Sequence, residues 1–396
     1  MRNTETMLDL TNTGIHGWII LKLLRSTPQW FAIHANARWV VLPEWKQQVA
    51  ELFHMSFNEL SKFKLLLNGE KCRNILALLN GESEWDTSLP ISIELYPSNK
   101  CNLQCRWCIA SSIREQADFL PFPILEKLFE SIQATNIGVT IEGGGEPMLY
   151  PYFDEMIEKA ASLGIHVGLI TNGTVPIKPD ILRHLTWIRV SLDAGSPEEY
   201  RLEKKKDLFN RVLANIAEIG RLKQNTTLGV GYVLTQDNTG HIIPLLHKLD
   251  EMRVDFISIG PVEEHESMCI SESQLQRLET ELQENGKFLK LYVTLNNLSN
   301  SNIDNNKGLA CIAHSLRCII HADGSVLVCE KRRHDPIVLG NIRDESFISL
   351  WNSPIRRDAS RKLFDPVNQQ GCKPCRITKF NELFLDISKV RSKRFI

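Results

Sequence analysis

The sequence predicts an α/β fold built on a parallel sheet with helices outside it. Three observations carry this. Across residues 90–282, short runs rich in Ile, Val and Leu alternate with amphipathic stretches, giving six strand–helix units. The polar clusters of this region fall at the C-terminal ends of the strands, the side on which parallel barrels carry their chemistry. The composition, 396 residues with 43% hydrophobic and 23% charged side chains, is that of a globular protein of roughly two or three domains.

Residues 1–88 read as a mainly helical segment. Trp18, Ile19, Leu21, Leu23 and Leu24 share one apolar patch. Trp45, Val49, Leu52 and Phe53 recur at helical spacing, as do Leu60, Phe63, Leu66 and Leu67. Ser56 with Glu59 three residues later marks a helix start. The strand pattern of a peptide-binding winged-helix module is not evident here, and no motif carries chemistry. The Asn80-Gly81-Glu82-Ser83 stretch reads as a linker.

Beyond it, strands are expected at residues 91–96, 139–141, 166–170, 187–192, 228–234 and 256–259. Helices are expected at 122–132, 153–163, 181–185, 208–222, 241–252 and 274–282, with Gly164 as a helix stop. The run Lys204-Lys205-Lys206 reads as a solvated loop after the fourth strand.

The first strand delivers the chain to Cys101-Asn102-Leu103-Gln104-Cys105-Arg106-Trp107-Cys108. Three thiols within one short loop can wrap a single metal centre. Soft sulfur donors favour zinc, copper(I) or an iron–sulfur cluster. The dozen residues after Cys108 hold no His or Cys to complete a local zinc site. An iron–sulfur cluster with one iron left open, or a zinc completed from afar, satisfies the spacing.

The net charge of −1 gives no electrostatic case for nucleic acid or an anionic membrane as partner. No secretory signal is evident, and the apolar run at residues 18–24 is broken by Lys22 and too short to span a bilayer. A cytoplasmic setting with the ten cysteines reduced is therefore expected, which favours metal ligation over disulfides for the clustered thiols. Cys72 and Cys269 read as lone packing or surface thiols.

Taken together, the motifs resemble the core of the radical S-adenosylmethionine (SAM) enzymes over residues 91–282. Cys101, Cys105, Trp107 and Cys108 match that family's C-x3-C-x-aromatic-C motif after the first strand. Gly143-Gly144-Gly145-Glu146-Pro147 matches its Gly-Gly-Glu turn after the second strand. Thr171-Asn172-Gly173 and Ser191-Leu192-Asp193-Ala194 match its marks after the third and fourth. The order of four marks, each at a strand end, is the specific signal. The resemblance implies a partial (β/α)6 TIM-like barrel, with the helical N-terminal segment and a small C-terminal α+β extension flanking it. It also implies a [4Fe–4S] cluster on Cys101, Cys105 and Cys108, whose fourth iron takes the methionine part of SAM. Reductive cleavage then yields a 5′-deoxyadenosyl radical that abstracts hydrogen from substrate. By the same resemblance, Gly144 and Gly145 admit the SAM amino acid and Glu146 faces its ammonium. Ser191 and Asp193 bond the ribose, Asn172 lies on the rim, and Trp107 packs near the adenine or covers the cluster.

The C-terminal third adds further thiols. Cys311 and Cys329 stand in a C-x12-G-x4-C frame around Gly324, and residues 318–328 read as a hairpin with an Asp-Gly turn. Cys372 and Cys375 form a C-x2-C pair. This layout resembles the Twitch or SPASM extension, which implies one auxiliary [4Fe–4S] cluster on Cys311, Cys329, Cys372 and Cys375. A four-thiolate zinc site on the same residues is the alternative. Cys318 packs in the hairpin, replaces Cys311 as ligand, or donates hydrogen to a substrate radical. The run Lys331-Arg332-Arg333-His334 balances cluster charge or holds an anionic substrate group.

The expected organisation is a segment of unassigned role (1–88), a radical SAM core (89–300) and an auxiliary cluster domain (301–396). The expected activity is hydrogen abstraction from a peptide or small molecule with net oxidation, served by an electron donor such as flavodoxin or ferredoxin. A radical epimerase and a non-catalytic zinc-stabilised binding protein are the alternatives.

Overall fold

The computed structural model describes residues 7–8, 19–21, 31–33, 39–40, 68–116, 119–285, 292–295, 310–332, 334–365, 375 and 378–389. The chain divides into two compact units, Met1–Ser88 with Glu382–Ile396, and Leu89–Asn381.

In the first unit, β1 (Met7–Leu8) pairs antiparallel with β4 (Trp39–Val40), and β2 (Ile19–Leu21) with β3 (Phe31–Ile33). Helix α1 spans Gly69–Leu79. Antiparallel strands thus occur where the sequence reading found no strand pattern, and part of the apolar patch at 18–24 is strand β2. The helical repeats at 45–53 and 60–67 lie outside the described residues. Inside this unit the buried Lys71 ammonium is paired with Asp86 (2.6 Å), fixing the end of the linker stretch.

The second unit is the α/β body. Its sheet runs, strand beside strand, in the order Tyr292–Leu295, Phe256–Pro261, Thr227–Leu234, Leu185–Ser191, Val167–Thr171, Gly138–Ile141, Ser92–Leu95, Arg317–Ile320, Ser325–Leu327 and Val338–Asn341. The six expected strands are β5 (Ser92–Leu95), β6 (Gly138–Ile141), β7 (Val167–Thr171), β8 (Leu185–Ser191), β9 (Thr227–Leu234) and β10 (Phe256–Pro261), all mutually parallel. Between them lie α2 (Phe122–Ile132), α3 (Phe153–Ser162), α4 (Pro179–Leu182), α5 (Pro197–Lys204), α6 (Phe209–Leu222) and α7 (Ile242–Glu251). Helix α8 (Glu272–Asn285) follows β10 and leads to a further parallel strand, β11 (Tyr292–Leu295). This is the parallel sheet that the alternation predicts and the partial barrel that the resemblance implies.

Packing follows from the periodicity. Helix α2 turns Leu125, Leu128, Phe129 and Ile132 inward at i, i+3, i+4 and i+7 spacing, and all four are buried. Such burial contributes on the order of 1.5–3 kcal/mol per side chain. Gly164 ends the α3 segment with φ +71°, as expected of a helix stop.

Two differences bear on function. Residues 197–204 form a helix, α5, rather than a loop. Ser196 caps it by accepting from Glu199 N (3.2 Å), and Pro197 opens it. Lys204 therefore ends a helix and is buried at 1% exposure, which corrects its expected place in a solvated loop, while Lys205 and Lys206 beyond it are exposed as expected. The hairpin also extends the barrel sheet: β12 (Arg317–Ile320) lies parallel to β5, and β13 (Ser325–Leu327) and β14 (Val338–Asn341) continue it antiparallel. Gly324 sits in the β12–β13 turn at φ +87°, where a side chain would be strained. The C-terminal extension thus begins on the strand that feeds the thiol loop. No helix among the described residues is long and apolar enough to cross a membrane.

Candidate active site

The thiol loop is gripped from three sides. At the end of β6, Gly145 N donates to the Ser98 carbonyl (3.0 Å) and Glu146 N to the Lys100 carbonyl (2.7 Å). Glycine is required there for space. A Cβ on Gly145 would overlap the Lys100 carbonyl, and one on Gly144 would stand 2.7 Å from Asn99 Oδ1. At the end of β7, Asn172 Nδ2 donates to Asn102 Oδ1 (2.8 Å), and Asn102 Nδ2 to Thr174 Oγ1 (2.8 Å). From the end of α5, the Lys204 carbonyl accepts from Gln104 N (3.3 Å) and the Glu203 carbonyl from Arg106 N (3.0 Å). Backbone groups in and just before the loop thus find partners on the glycine turn and on α5.

Glu146, 2% exposed, clasps two strand ends. Its Oε1 accepts from Thr171 Oγ1 (2.6 Å) and Met148 N (3.1 Å), and its Oε2 from Asn172 N (2.7 Å). Burial pushes its carboxyl up, against the pull of the Thr171, Asn172 and Met148 donors. The sequence reading gave this carboxylate to the SAM ammonium; here its oxygens are engaged inside the protein.

Asp193 is similar. It takes the left-handed conformation (φ +59°), is 1% exposed, and accepts from Val233 N through Oδ1 (2.6 Å) while Oδ2 meets the Lys204 ammonium. Asn238 Nδ2 donates to its carbonyl (3.0 Å). Ser191, the other residue expected at the ribose, stands half-buried at the end of β8. Lys204 Nζ lies 4.9 Å from the centroid of the Trp107 ring. Burial works against the charge on Lys204, but Asp193 and Cys105 hold its pKa above the ordinary lysine value.

Cys101, Cys105 and Cys108 are all partly buried. Burial pushes the Cys105 thiol up, Lys204 draws it down, and the charges of Asp193, Cys108 and Cys101 raise it again. The three thiols thus bear on one another, although no three Cys, His, Asp or Glu side chains among the described residues are gathered at metal-binding distances. Deprotonated thiols are gathered by the metal they bind. Three soft donors in one pinned loop, beside a glycine rim, fit a cubane with one open iron.

In the extension, Cys329 and Cys375 lie near each other. Burial raises the Cys329 thiol, as does the Cys375 charge, while Lys331 N and Arg317 lower it. Arg317, 7% exposed on β12, pairs with Glu94 of β5 and with Glu330 (2.9 Å). Cys311 is partly buried and its N donates to the Leu363 carbonyl (3.1 Å). Cys372 lies outside the described residues. Cys318 is fully buried in the core on β12, in register with Ile93. The basic run is occupied by carboxylates: Lys331 pairs with Glu263, Arg332 with Asp335, and His334 approaches Glu264 (3.7 Å). Arg333 lies outside the described residues.

Sequence reasoning missed Asn102, Tyr200, Glu203 and Lys204. The signal for the last three was present: Ser196 followed by Pro197 and Glu199 is a helix-start pattern. Asn102 carried no such signal, because its partner Asn172 is 70 residues away.

Comparison with known families decides the identity. The Radical SAM superfamily matches residues 95–249, and the SPASM iron–sulfur cluster-binding domain matches residues 311–376. The chain belongs to the radical SAM superfamily. This radical SAM protein takes SAM and a [4Fe–4S] cluster in its core and auxiliary iron–sulfur in its SPASM extension. It is a modifying enzyme. Over 65% of its length it is 22% identical to a tungsten-containing aldehyde ferredoxin oxidoreductase cofactor-modifying protein of Pyrococcus furiosus, covering 79% of that protein. Over 72% of its length it is 24% identical to the mycofactocin maturase MftC of Mycobacterium ulcerans, covering 80% of it. Its fold is similar to that of Streptococcus suis SuiB bound to the precursor peptide SuiA, with a TM-score of 0.57, 18% identity and 71% of each chain covered.

Proposed function

We propose that this radical SAM enzyme oxidises a side chain of a peptide substrate, with residues 89–300 as core and 301–396 as the auxiliary cluster domain. Cys101, Cys105 and Cys108 ligate the SAM-binding cluster, and Cys311, Cys329, Cys372 and Cys375 one auxiliary cluster. When bound, the cluster and SAM supply the radical that removes a hydrogen atom from substrate. The protein holds the thiol loop rigid through Asn102, Asn172, Gly145 and Glu146, and Ser191 faces the nucleoside. Glu146 and Asp193 position the rim from within.

The observation that carries oxidation is the placement of the extension. Strand β12 is hydrogen-bonded to β5, and Arg317 joins Glu94 of that strand to Glu330 beside Cys329. This supports a second centre close enough to take the electron that a substrate radical must lose. The packed position of Cys318 favours oxidation over quenching by that thiol. A peptide substrate is supported by the likeness to a mycofactocin maturase and to a structure with a precursor peptide. The working compartment is the cytoplasm, where thiols stay reduced and a flavodoxin or ferredoxin can deliver electrons.

The test is anaerobic incubation of the reconstituted protein with SAM, reductant and candidate peptides. The expected result is 5′-deoxyadenosine together with a peptide lighter by about two hydrogens. Incorporation of one solvent deuterium at unchanged composition would instead indicate epimerisation.

A further inference from the structure

Tyr200 and Lys204 lie four residues apart at the end of α5 and so project from one face of that helix. This face is tied to the thiol loop on both sides of Cys105, through Gln104 N to the Lys204 carbonyl and Arg106 N to the Glu203 carbonyl. Tyr200 is 0% exposed, yet its hydroxyl has no hydrogen-bond partner among the described residues. The buried indole Nε1–H of Trp107, within the same loop, has none either. Lys204 Nζ lies over the Trp107 ring and meets Asp193. Buried hydroxyls rarely go unpaired, because the group has lost water without a replacement. Two unpaired buried donors and a buried cation, on the thiol loop and on the helix end bonded to it, therefore call for an acceptor that the polypeptide does not itself supply. The sulfur atoms of an iron–sulfur centre are such acceptors, and hydrogen bonds to them, with local charge, set its reduction potential.

We propose that Tyr200 and Lys204 form a donor platform beneath Cys105 that raises the reduction potential of the SAM-binding cluster. The Tyr200 hydroxyl donates to a cluster or cysteinyl sulfur. The Lys204 ammonium, held by Asp193, places a fixed positive charge beside the Cys105 thiolate and so favours the more negative, reduced centre. Burial pushes the Tyr200 hydroxyl up to about 12, so it remains a donor throughout the working pH range. The inference rests on the assignment of Cys105 as a cluster ligand.

The experiment is a potentiometric titration of the reconstituted protein without substrate, following the electron paramagnetic resonance signal that responds to added SAM. Tyr200→Phe and Lys204→Met are expected to keep the wild-type iron content and to shift the midpoint to lower potential. Lys204→Arg is expected to restore it. In protein freed of iron, Tyr200→Phe is expected to unfold at the same or higher urea concentration than wild type, since the hydroxyl has no partner there. An unchanged midpoint in both variants at full iron content would overturn the platform alone. A Cys105→Ala variant with wild-type iron content would instead overturn the ligand assignment beneath it. Loss of stability in iron-free Tyr200→Phe would also overturn the platform, by showing that the hydroxyl already has a partner in the polypeptide.

Discussion

Asn102, inside the thiol loop, and Asn172, at the end of the third barrel strand, share a hydrogen bond of 2.8 Å across 70 residues of sequence. Each amide is oriented by a second partner, since Thr174 accepts from Asn102 and donates through its N to Asn172 Oδ1. Asn102→Ala removes two of these bonds. The expected outcome is retained iron with SAM binding weakened about tenfold, the equivalent of one to two lost hydrogen bonds. Anaerobic calorimetry with SAM checks this, and unchanged affinity would show that the amide ladder does not shape the site.

Gly145 closes against the Lys100 carbonyl. Gly145→Ala must push the thiol loop and the glycine turn apart, with an expected loss of about 1–3 kcal/mol in urea unfolding. Gly81, where a Cβ meets nothing but where φ is +71°, provides a control without steric overlap.

Arg317 sits between two carboxylates, Glu94 and Glu330, and all three are largely withdrawn from water. Arg317→Met leaves buried charge unpaired and is expected to cost about 3–5 kcal/mol in unfolding free energy. The double variant Glu94→Gln with Arg317→Met is expected to recover much of that loss. A simple sum of the two single effects would argue against a coupled pair.

The pH dependence follows from Glu146. Burial raises its folded pKa above the ordinary 4.5. Between those values the folded protein holds a proton that the unfolded chain has released. Its contribution to stability therefore falls as pH rises through that window and stays lower above it. Subtracting Glu146→Gln isolates this contribution. The difference in unfolding free energy, wild type minus variant, is expected to decline with rising pH; a flat difference would mean that the carboxyl is not desolvated as its surroundings imply.

The sequence was legible wherever chemistry and periodicity coincided. All six expected parallel strands exist, and the turns at Gly145 and Asn172 close on the thiol loop, because glycine turns and short apolar runs are local signals. What was not legible depended on distant partners. Lys204 reads as one of three lysines in a row, and only its meeting with Asp193 and Trp107 makes it an interior cation. The carboxylates of Glu146 and Asp193 were expected to face a ligand, but neighbouring backbone N–H groups claim them first. The parallel pairing of β12 with β5 joins segments more than 200 residues apart, which no local pattern announces.

The most direct measurement is iron content and SAM cleavage in the triple variant Cys101→Ala, Cys105→Ala, Cys108→Ala, prepared anaerobically beside wild type. Wild type is expected to hold about eight irons per chain, four in each of two cubanes, and to release 5′-deoxyadenosine under reduction. The variant is expected to keep about four and to release none. Full iron content, or continued SAM cleavage, in a chain without those three thiols would contradict a cubane held by that loop.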